Sequence, residues 1–249
     1  MEKIEKKEKR FGLVGKDISY SFSRGYFSKK FTSLKLLNYS YENFDLAHIS
    51  EFETLINTNY LSGLNVTIPY KELVIPFLSD LDDTAKKIGA VNTIKFTATG
   101  LKGFNTDAYG FENSLTTHLK KQHKNALILG TGGASKAIAY VFEKLEIPFQ
   151  FVSRTKKEGQ LAYNDLNKKI IQEHHIIVNS SPVGTHPNIL EKPAIPYQYL
   201  TQNHFLFDLI YNPEKTTFLK AGEEKGATIT NGLRMLELQA EKAWEIWNS

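Results

Sequence analysis

The sequence predicts an α/β protein of two domains. The first is an N-terminal α/β domain over residues 1–106. The second, over 107–231, is built on a parallel, doubly wound sheet. A C-terminal helix, 232–249, is expected to return to the first domain. Three observations carry this expectation. A length of 249 residues accommodates two small domains at about 150 residues or fewer each. Short apolar strands alternate with stretches of helical periodicity, and the pattern changes character near residue 105. The last segment is helical with no strand after it, so its apolar face has to find cover elsewhere.

Taken in order, Phe11 to Gly15 is a short apolar strand. Ser23 is the expected cap of a helix whose Phe27, Phe31 and Leu34 fall at i, i+4 and i+7. Ile49, Phe52 and Ile56, with Leu55 beside them, predict a second helix. Leu64 to Ile68 reads as a strand stopped by Pro69, Asp80 to Ile88 as a polar helix, and Val91 to Phe96 as a strand before a Thr99-Gly100 turn. Beyond residue 105, Asn125 to Leu129 is nearly continuous apolar sequence, as a strand buried on both faces requires. A helix follows with Ala137, Ile138, Val141 and Leu145 on one side. Pro148–Ser153, Ile176–Asn179 and Phe205–Ile210 are three more strands. Leu233, Leu236, Ala240, Ala243 and Trp247 form one stripe of the final helix.

Composition narrows the function classes. An apolar fraction of 41% with 12% aromatics argues against disorder, and no run of 18 apolar residues predicts a membrane span. Eight of the first ten residues are charged, which is not a secretory signal and lets residues 1–9 stay outside the packed fold. Zero cysteine removes disulfides, thiolate nucleophiles and Cys-based metal sites. The seven His show no metal-ligand spacing, so no metal is expected. A net charge of +4 is small and its Lys and Arg are dispersed, unlike a nucleic-acid binder. A mild basic bias suits an anionic small molecule. A reduced, cytoplasmic setting is the expectation.

The strand ending at Leu129 runs directly into Gly130-Thr131-Gly132-Gly133-Ala134-Ser135 and then a helix. This is a dinucleotide-binding, Rossmann-like arrangement. Gly130 permits the tight turn, Gly132 lets the backbone approach a pyrophosphate, and the helix N-terminus supplies free N–H groups. Ser135 stands in place of the third glycine. An NAD site places an acid at the end of the second strand to meet the ribose 2′-OH. Here that position reads Ser153-Arg154-Thr155-Lys156-Lys157. A guanidinium and an ammonium suit a 2′-phosphate, so NADP is the expected cofactor.

The first domain carries polar residues where apolar or turn residues would serve. Ser19, Ser21 and Ser23 alternate along one segment. Asn65 and Thr67 share a strand face, with Lys71 just beyond. Asn92 and Asp107 lie in two further short motifs. These are donors and acceptors for a polyhydroxylated substrate, with one lysine and one aspartate for proton transfer.

Together the motifs resemble the shikimate dehydrogenase family. They are Ser21-Phe-Ser23, Gly63-Leu-Asn-Val-Thr-Ile-Pro-Tyr-Lys-Glu72, Gly89-Ala-Val-Asn-Thr93, Asn105-Thr-Asp107, Gly130–Ala134, Ser153-Arg-Thr155, Asn179-Ser-Ser-Pro-Val-Gly184, Asp208-Leu-Ile-Tyr-Asn-Pro213 and Asn231–Gln239. Their order is the family's, over about residues 11–247. The resemblance implies NADPH-dependent, reversible reduction of 3-dehydroshikimate to shikimate in chorismate and aromatic amino-acid biosynthesis. It implies that Lys71 and Asp107 are the catalytic pair and that Ser21 and Ser23 bind the substrate carboxylate. Thr67, Asn92 and Gln239 are implied to hold ring hydroxyls, with Tyr211 close by. Cofactor contacts are implied at Gly130–Ala134, Ser153–Lys156, Asp83, Leu209 and Gly232. Tyr20, Arg24 and Thr185 stand where the family commonly has His, Pro and Met.

Rival readings are a quinate/shikimate dehydrogenase with relaxed cofactor use, another two-domain NADP enzyme such as a folate dehydrogenase, and a non-catalytic NADPH-binding protein on the same scaffold. The expected partner is a small-molecule substrate, without nucleic acid or membrane, on a monomer or homodimer.

Overall fold

The computed structural model describes residues 8–19, 21–58 and 60–249, apart from the side chain of residue 58. The chain divides into two compact units. One comprises the described residues up to Thr106 together with Ala240–Ser249, and the other is Asp107–Gln239.

The first unit runs β1 (Lys9–Gly15), α1 (Phe22–Ser33), β2 (Tyr39–Asp45), α2 (Glu51–Thr58), β3 (Leu61–Val66), α3 (Tyr70–Leu73), β4 (Asp80–Leu81), α4 (Asp83–Ile88), β5 (Thr93–Thr97) and β6 (Gly100–Phe104). Its sheet has the order β2-β1-β3-β5-β6-β4. β2, β1 and β3 are parallel, whereas β5 is antiparallel to both β3 and β6. Alternation along β1 sends side chains to opposite faces. Phe11 and Leu13 join Phe27 and Phe31 of α1, while Val14 joins Phe52 and Leu55 of α2. Lys9 already belongs to β1, so the charged N-terminal stretch gives way to sheet there.

Several boundaries differ from expectation for local reasons. Ser21, not Ser23, caps α1, because Ser21 is extended and its Oγ accepts the Ser23 N–H at 3.2 Å. Leu34 is the C-cap residue and half exposed, so the buried stripe is Phe27 and Phe31 alone. β3 ends at Val66; Thr67 and the exposed Ile68 fall in the turn that starts α3. Asp80 and Leu81 are strand rather than helix, and α4 starts one residue after Asp82, whose carboxylate accepts from the N–H groups of Thr84 and Ala85. Gly89, at φ 69°, ends it in the left-handed conformation. The polar edge strand β2 has too little apolar alternation to announce itself.

The second unit runs α5 (Thr106–Thr116, entering from the first unit), β7 (Ala126–Leu129), α6 (Gly133–Lys144), β8 (Phe149–Ser153), β9 (Leu161–Ala162), α7 (Lys168–Glu173), β10 (Ile176–Asn179), β11 (Phe205–Asp208), α8 (Thr217–Glu223) and β12 (Thr228–Thr230). Its six strands are all parallel, in the order β12-β11-β10-β7-β8-β9. β7, β10 and β11 are buried along their whole length, which is why they read as uninterrupted apolar sequence. Leu127, Ile177 and Leu206 face α7 and α8. On the other face Phe111 of α5 meets Phe142 of α6 and Phe207 of β11 edge-on, with centroids 5.6 and 5.1 Å apart.

At the N-terminal ends of these strands sit three histidines. His204 is buried, with Nδ1 accepting from the Thr201 N–H at 3.0 Å and Nε2 donating to the Ile171 carbonyl at 3.0 Å. His175 packs edge-on to it and His123 stacks on Phe205. Burial lowers the pKa of both His204 and His123, with the neighbouring His175 adding to the effect.

The last helix, α9 (Leu233–Asn248), contributes to both units. From Ala240 onward it belongs to the first, where Ala240, Ala243 and Trp247 close the Phe11 core. The Trp247 indole donates to the Ile94 carbonyl at 3.0 Å. Glu241 accepts from both Tyr26 and Lys30 of α1. Among the described residues no helix is long and apolar enough to cross a membrane, and no group of three His, Asp or Glu is placed to hold a metal ion.

Candidate functional site

In the first unit the polar residues form one connected network at the ends of β1, β3 and β5. The buried Tyr41 hydroxyl donates to Asn65 Oδ1 at 2.8 Å and also meets Ser23. Burial pushes this phenol far above its ordinary pKa. Asn65 Nδ2 reaches the Asn92 carbonyl at 3.2 Å and Thr93 Oγ1 at 3.1 Å. Asn92 Oδ1 accepts the Thr106 N–H at 2.7 Å, and its Nδ2 donates to Thr106 Oγ1 at 3.0 Å. Asn92, Thr93 and Thr106 are all buried, so these bonds are made in a setting where leaving them unmade would cost about 1–3 kcal/mol each.

Of the residues singled out in the N-terminal half, this network joins Ser23, Asn65 and Asn92. Ser21 and Ser23 sit at the head of α1. Thr67 follows β3, its N–H on the Val14 carbonyl and its own carbonyl accepting from Tyr70. Lys71 is half-buried on α3, and its carbonyl accepts the Val91 N–H at 2.7 Å, one residue before Asn92. Asp107 follows Thr106 directly, opens the second unit and is buried. Asp83 lies apart, exposed in the first turn of α4. Arg24 is exposed on α1, while Tyr20 lies outside the described residues. Tyr41, Thr93 and Thr106 completed the network without being singled out. Thr93 signalled itself as a hydroxyl in the largely apolar start of β5 and Thr106 as a hydroxyl at a helix start, whereas Tyr41, in the polar strand β2, gave no signal.

In the second unit the site lies at the C-terminal ends of β7 and β10, where strand order reverses, the place at which open α/β sheets bind ligands. Gly130 has φ 123°, which disfavours any side chain, and a Cβ there would press to 2.9 Å from Ser180 Oγ. Gly132 is the N-cap of α6 and offers no side-chain acceptor. A Cβ on Gly132 would meet nothing within 4 Å. Thr131 and Gly132 are exposed, and Gly133 and Ala134 partly so. The first-turn N–H groups of α6 therefore face open space with no side chain capping them, which fits an anionic group with delocalised charge. Ser135 turns the other way, buried, with its Oγ 2.9 Å from Ser180 Oγ.

Past β8, Ser153 Oγ donates to the Thr155 carbonyl at 2.5 Å, folding the segment so that Arg154, Thr155 and Lys156 are exposed together. Lys156 pairs with Asp165 at 2.9 Å. Asp165 also accepts the Ala162 N–H, and these contacts hold its carboxyl below the usual range. Leu209 follows β11, and Gly232 lies against it so closely that a Cβ would collide with the Leu209 carbonyl. Tyr211 is partly buried in the same loop. Gln239 closes the second unit's part of α9; its N–H lies 3.3 Å from where a Cβ on Gly110 would stand.

The comparisons with known proteins bear on this architecture. Residues 13–94 match the family model of the shikimate dehydrogenase substrate binding domain. A shikimate dehydrogenase (NADP(+)) of Methanococcus vannielii is 35% identical over 98% of this chain and 93% of its own. That of Carboxydothermus hydrogenoformans is 37% identical over 98% and 93%. Among solved structures, shikimate 5-dehydrogenase of Thermus thermophilus, in complex with NADP(H) and shikimate, superposes with a TM-score of 0.85 at 28% identity, covering 96% of this chain and 93% of that one. With identities of this size over nearly its whole length, the chain belongs to the shikimate dehydrogenase family.

Proposed function

We propose that this protein is an NADP-dependent shikimate dehydrogenase that reversibly reduces 3-dehydroshikimate to shikimate in the chorismate route to aromatic amino acids. The near full-length likeness to chains named shikimate dehydrogenase (NADP(+)) carries the reading. The first unit is its substrate domain and the second its NADP domain. Working in the cytoplasm as a monomer or homodimer, with no nucleic-acid partner, belongs to the same reading.

In this mechanism Ser21 and Ser23 bind the substrate carboxylate. Thr67, Asn92 and Gln239 hold ring hydroxyls, and Tyr211 stands beside the ring. Asn92 is suited to the task because its side chain is already locked by Thr106 and Thr93, so binding orders little that is not ordered already. Gly130–Ala134 take the pyrophosphate on uncapped N–H groups, and Arg154 and Lys156, with Ser153 and Thr155, take the 2′-phosphate. Asp83, Leu209 and Gly232 complete the cofactor contacts. When bound, the nicotinamide supplies the hydride. Lys71 donates a proton to the carbonyl oxygen of 3-dehydroshikimate as charge develops there, and takes it back in the reverse direction. Asp107 orients Lys71 and holds a substrate hydroxyl.

The test is absorbance of the reduced nicotinamide during shikimate oxidation, with NADP and with NAD, and with quinate as control. Turnover with NADP and shikimate alone is expected. Equal use of NAD or quinate overturns the assigned specificity, and no turnover overturns the activity.

A further inference from the structure

Asp208 ends the apolar strand β11 and is 0% exposed. A carboxylate there is costly unless donors meet it, and an apolar residue would fill the strand equally well. Three neutral donors converge on it, each from a different segment. Oδ1 accepts from Asn179 Nδ2 and from the Ile210 N–H, both at 3.0 Å. Oδ2 accepts from Thr216 Oγ1 at 2.6 Å. Thr216 in turn caps α8 by accepting the Leu219 N–H.

Asn179, paired in register with Asp208 across β10 and β11, extends the connection. Its Oδ1 accepts from the N–H and Oγ of Ser181, and its Nδ2 also donates to the Val183 carbonyl. Ser180 then joins this loop to the glycine loop through the Leu129 carbonyl and Ser135. One carboxylate thus ties together the loops after β10 and β11, both at the end of the sheet where the cofactor is proposed to lie.

We propose that Asp208 is a positioning residue for the reactive end of the dinucleotide site: with Asn179 it holds the 180–183 and 209–213 loops in register and so sets where Leu209 and Tyr211 stand. This rests on the functional reading above. An amide at position 208 cannot replace the carboxylate, because it has one accepting oxygen for three donors and turns an N–H toward one of them.

The acid–base behaviour supplies a second readout. Desolvation pushes the Asp208 carboxyl up to about 6. The titratable group facing it from a neighbouring element is Tyr197, with Tyr163 beyond, and neither is cationic. The three donors pull the carboxyl down, but desolvation outweighs them, so the closed loops hold the proton more tightly than a hydrated carboxyl does. Opening that wets Asp208 returns its carboxyl toward the ordinary value, so by linkage the loops should hold tighter as pH falls through about 6 and loosen as it rises.

The experiment compares the full-length wild type, over a range of pH, with Asp208→Asn. Amide hydrogen exchange is read in the protein alone; NADPH affinity, kcat and KM are read separately. In Asp208→Asn, exchange at 209–213 and 180–183 rises about tenfold or more, while the strands β10 and β11 change less than about threefold. NADPH affinity stays within about threefold, and kcat falls about tenfold, the scale of one lost hydrogen bond to a charged group. In the wild type, protection of the loop amides relative to the strand amides rises as pH falls through about 6, a reading that needs no variant to fold. Unchanged loop exchange, or acceleration spread evenly through the unit, overturns the proposal. If the wild type shows no shikimate turnover, the functional reading fails while the exchange data still decide the role of Asp208.

Discussion

Trp247 offers a direct measure of how far the last helix stabilises the first unit. It is 7% exposed, its ring lies 4.8 Å from Phe11 and 5.3 Å from Phe27, and it donates to the Ile94 carbonyl. A buried tryptophan removes about 200 Å² from water, or ~5 kcal/mol at about 25 cal/mol/Å². Side-chain entropy and partial collapse return some of this, so Trp247→Ala should cost about 3–5 kcal/mol. The same ring explains Gly63, where a Cβ would sit 2.5 Å from Trp247 Cδ1 and 2.7 Å from Cε2. Gly63→Ala alone should therefore destabilise by about 1–3 kcal/mol through overpacking. In the Trp247→Ala background the space is open, and alanine in a strand is then neutral or favourable by up to about 1 kcal/mol. The double-mutant cycle should show about 2 kcal/mol of coupling. Urea unfolding followed by far-ultraviolet circular dichroism reads all four proteins without relying on the deleted indole. Additive effects, or a Trp247→Ala cost below about 1 kcal/mol, would refute the packing argument.

Other outcomes follow from the site. Lys71→Ala should lower kcat by about 10²–10⁴-fold with little change in KM and an unchanged unfolding midpoint; near-normal turnover would remove Lys71 from the chemistry. Arg154→Ala should raise KM for NADP about tenfold or more while leaving that for NAD unchanged, the loss of one charge-assisted contact to phosphate. Equal effects on both cofactors would contradict a role at the 2′-phosphate. For His204 the depressed folded pKa means the unfolded chain binds the proton more tightly. Its contribution is present above about pH 6.5 and is lost as pH falls below that value. His204→Gln should flatten the acid side of the stability curve, and a slope unchanged from wild type would exclude it.

Sequence legibility followed the range of the interactions. The glycine loop was readable because strand, turn and helix are adjacent in the chain, and Gly130 answers to a backbone angle visible in residue type alone. The buried strands β7, β10 and β11 were readable because apolar runs report burial on both faces. The α1 cap was misplaced by two residues, since Ser21 and Ser23 are equivalent by type and only backbone conformation separates them. Edge strand β2 was missed because its pairing with β1 leaves a polar surface. Lys71 and Asn92 were picked out as residues, but the link between them through Val91 joins segments twenty residues apart. Asp208 was recorded only as part of a motif. Its role depends on three donors that meet in space and share no local pattern.

The second unit is one continuous stretch, Asp107–Gln239, whereas the first needs both the residues up to Thr106 and Ala240–Ser249. During synthesis the N-terminal half emerges first yet lacks the Trp247 ring that seals its Phe11 core. At about 5–20 residues per second the ribosome takes some seconds more to deliver that ring. The earlier half waits through that interval with part of its aromatic core exposed, while the second unit has all its residues once Gln239 is made, ahead of Trp247. Chains truncated after Gln239 and released should therefore be cut by protease within the first unit and resist cutting within the second.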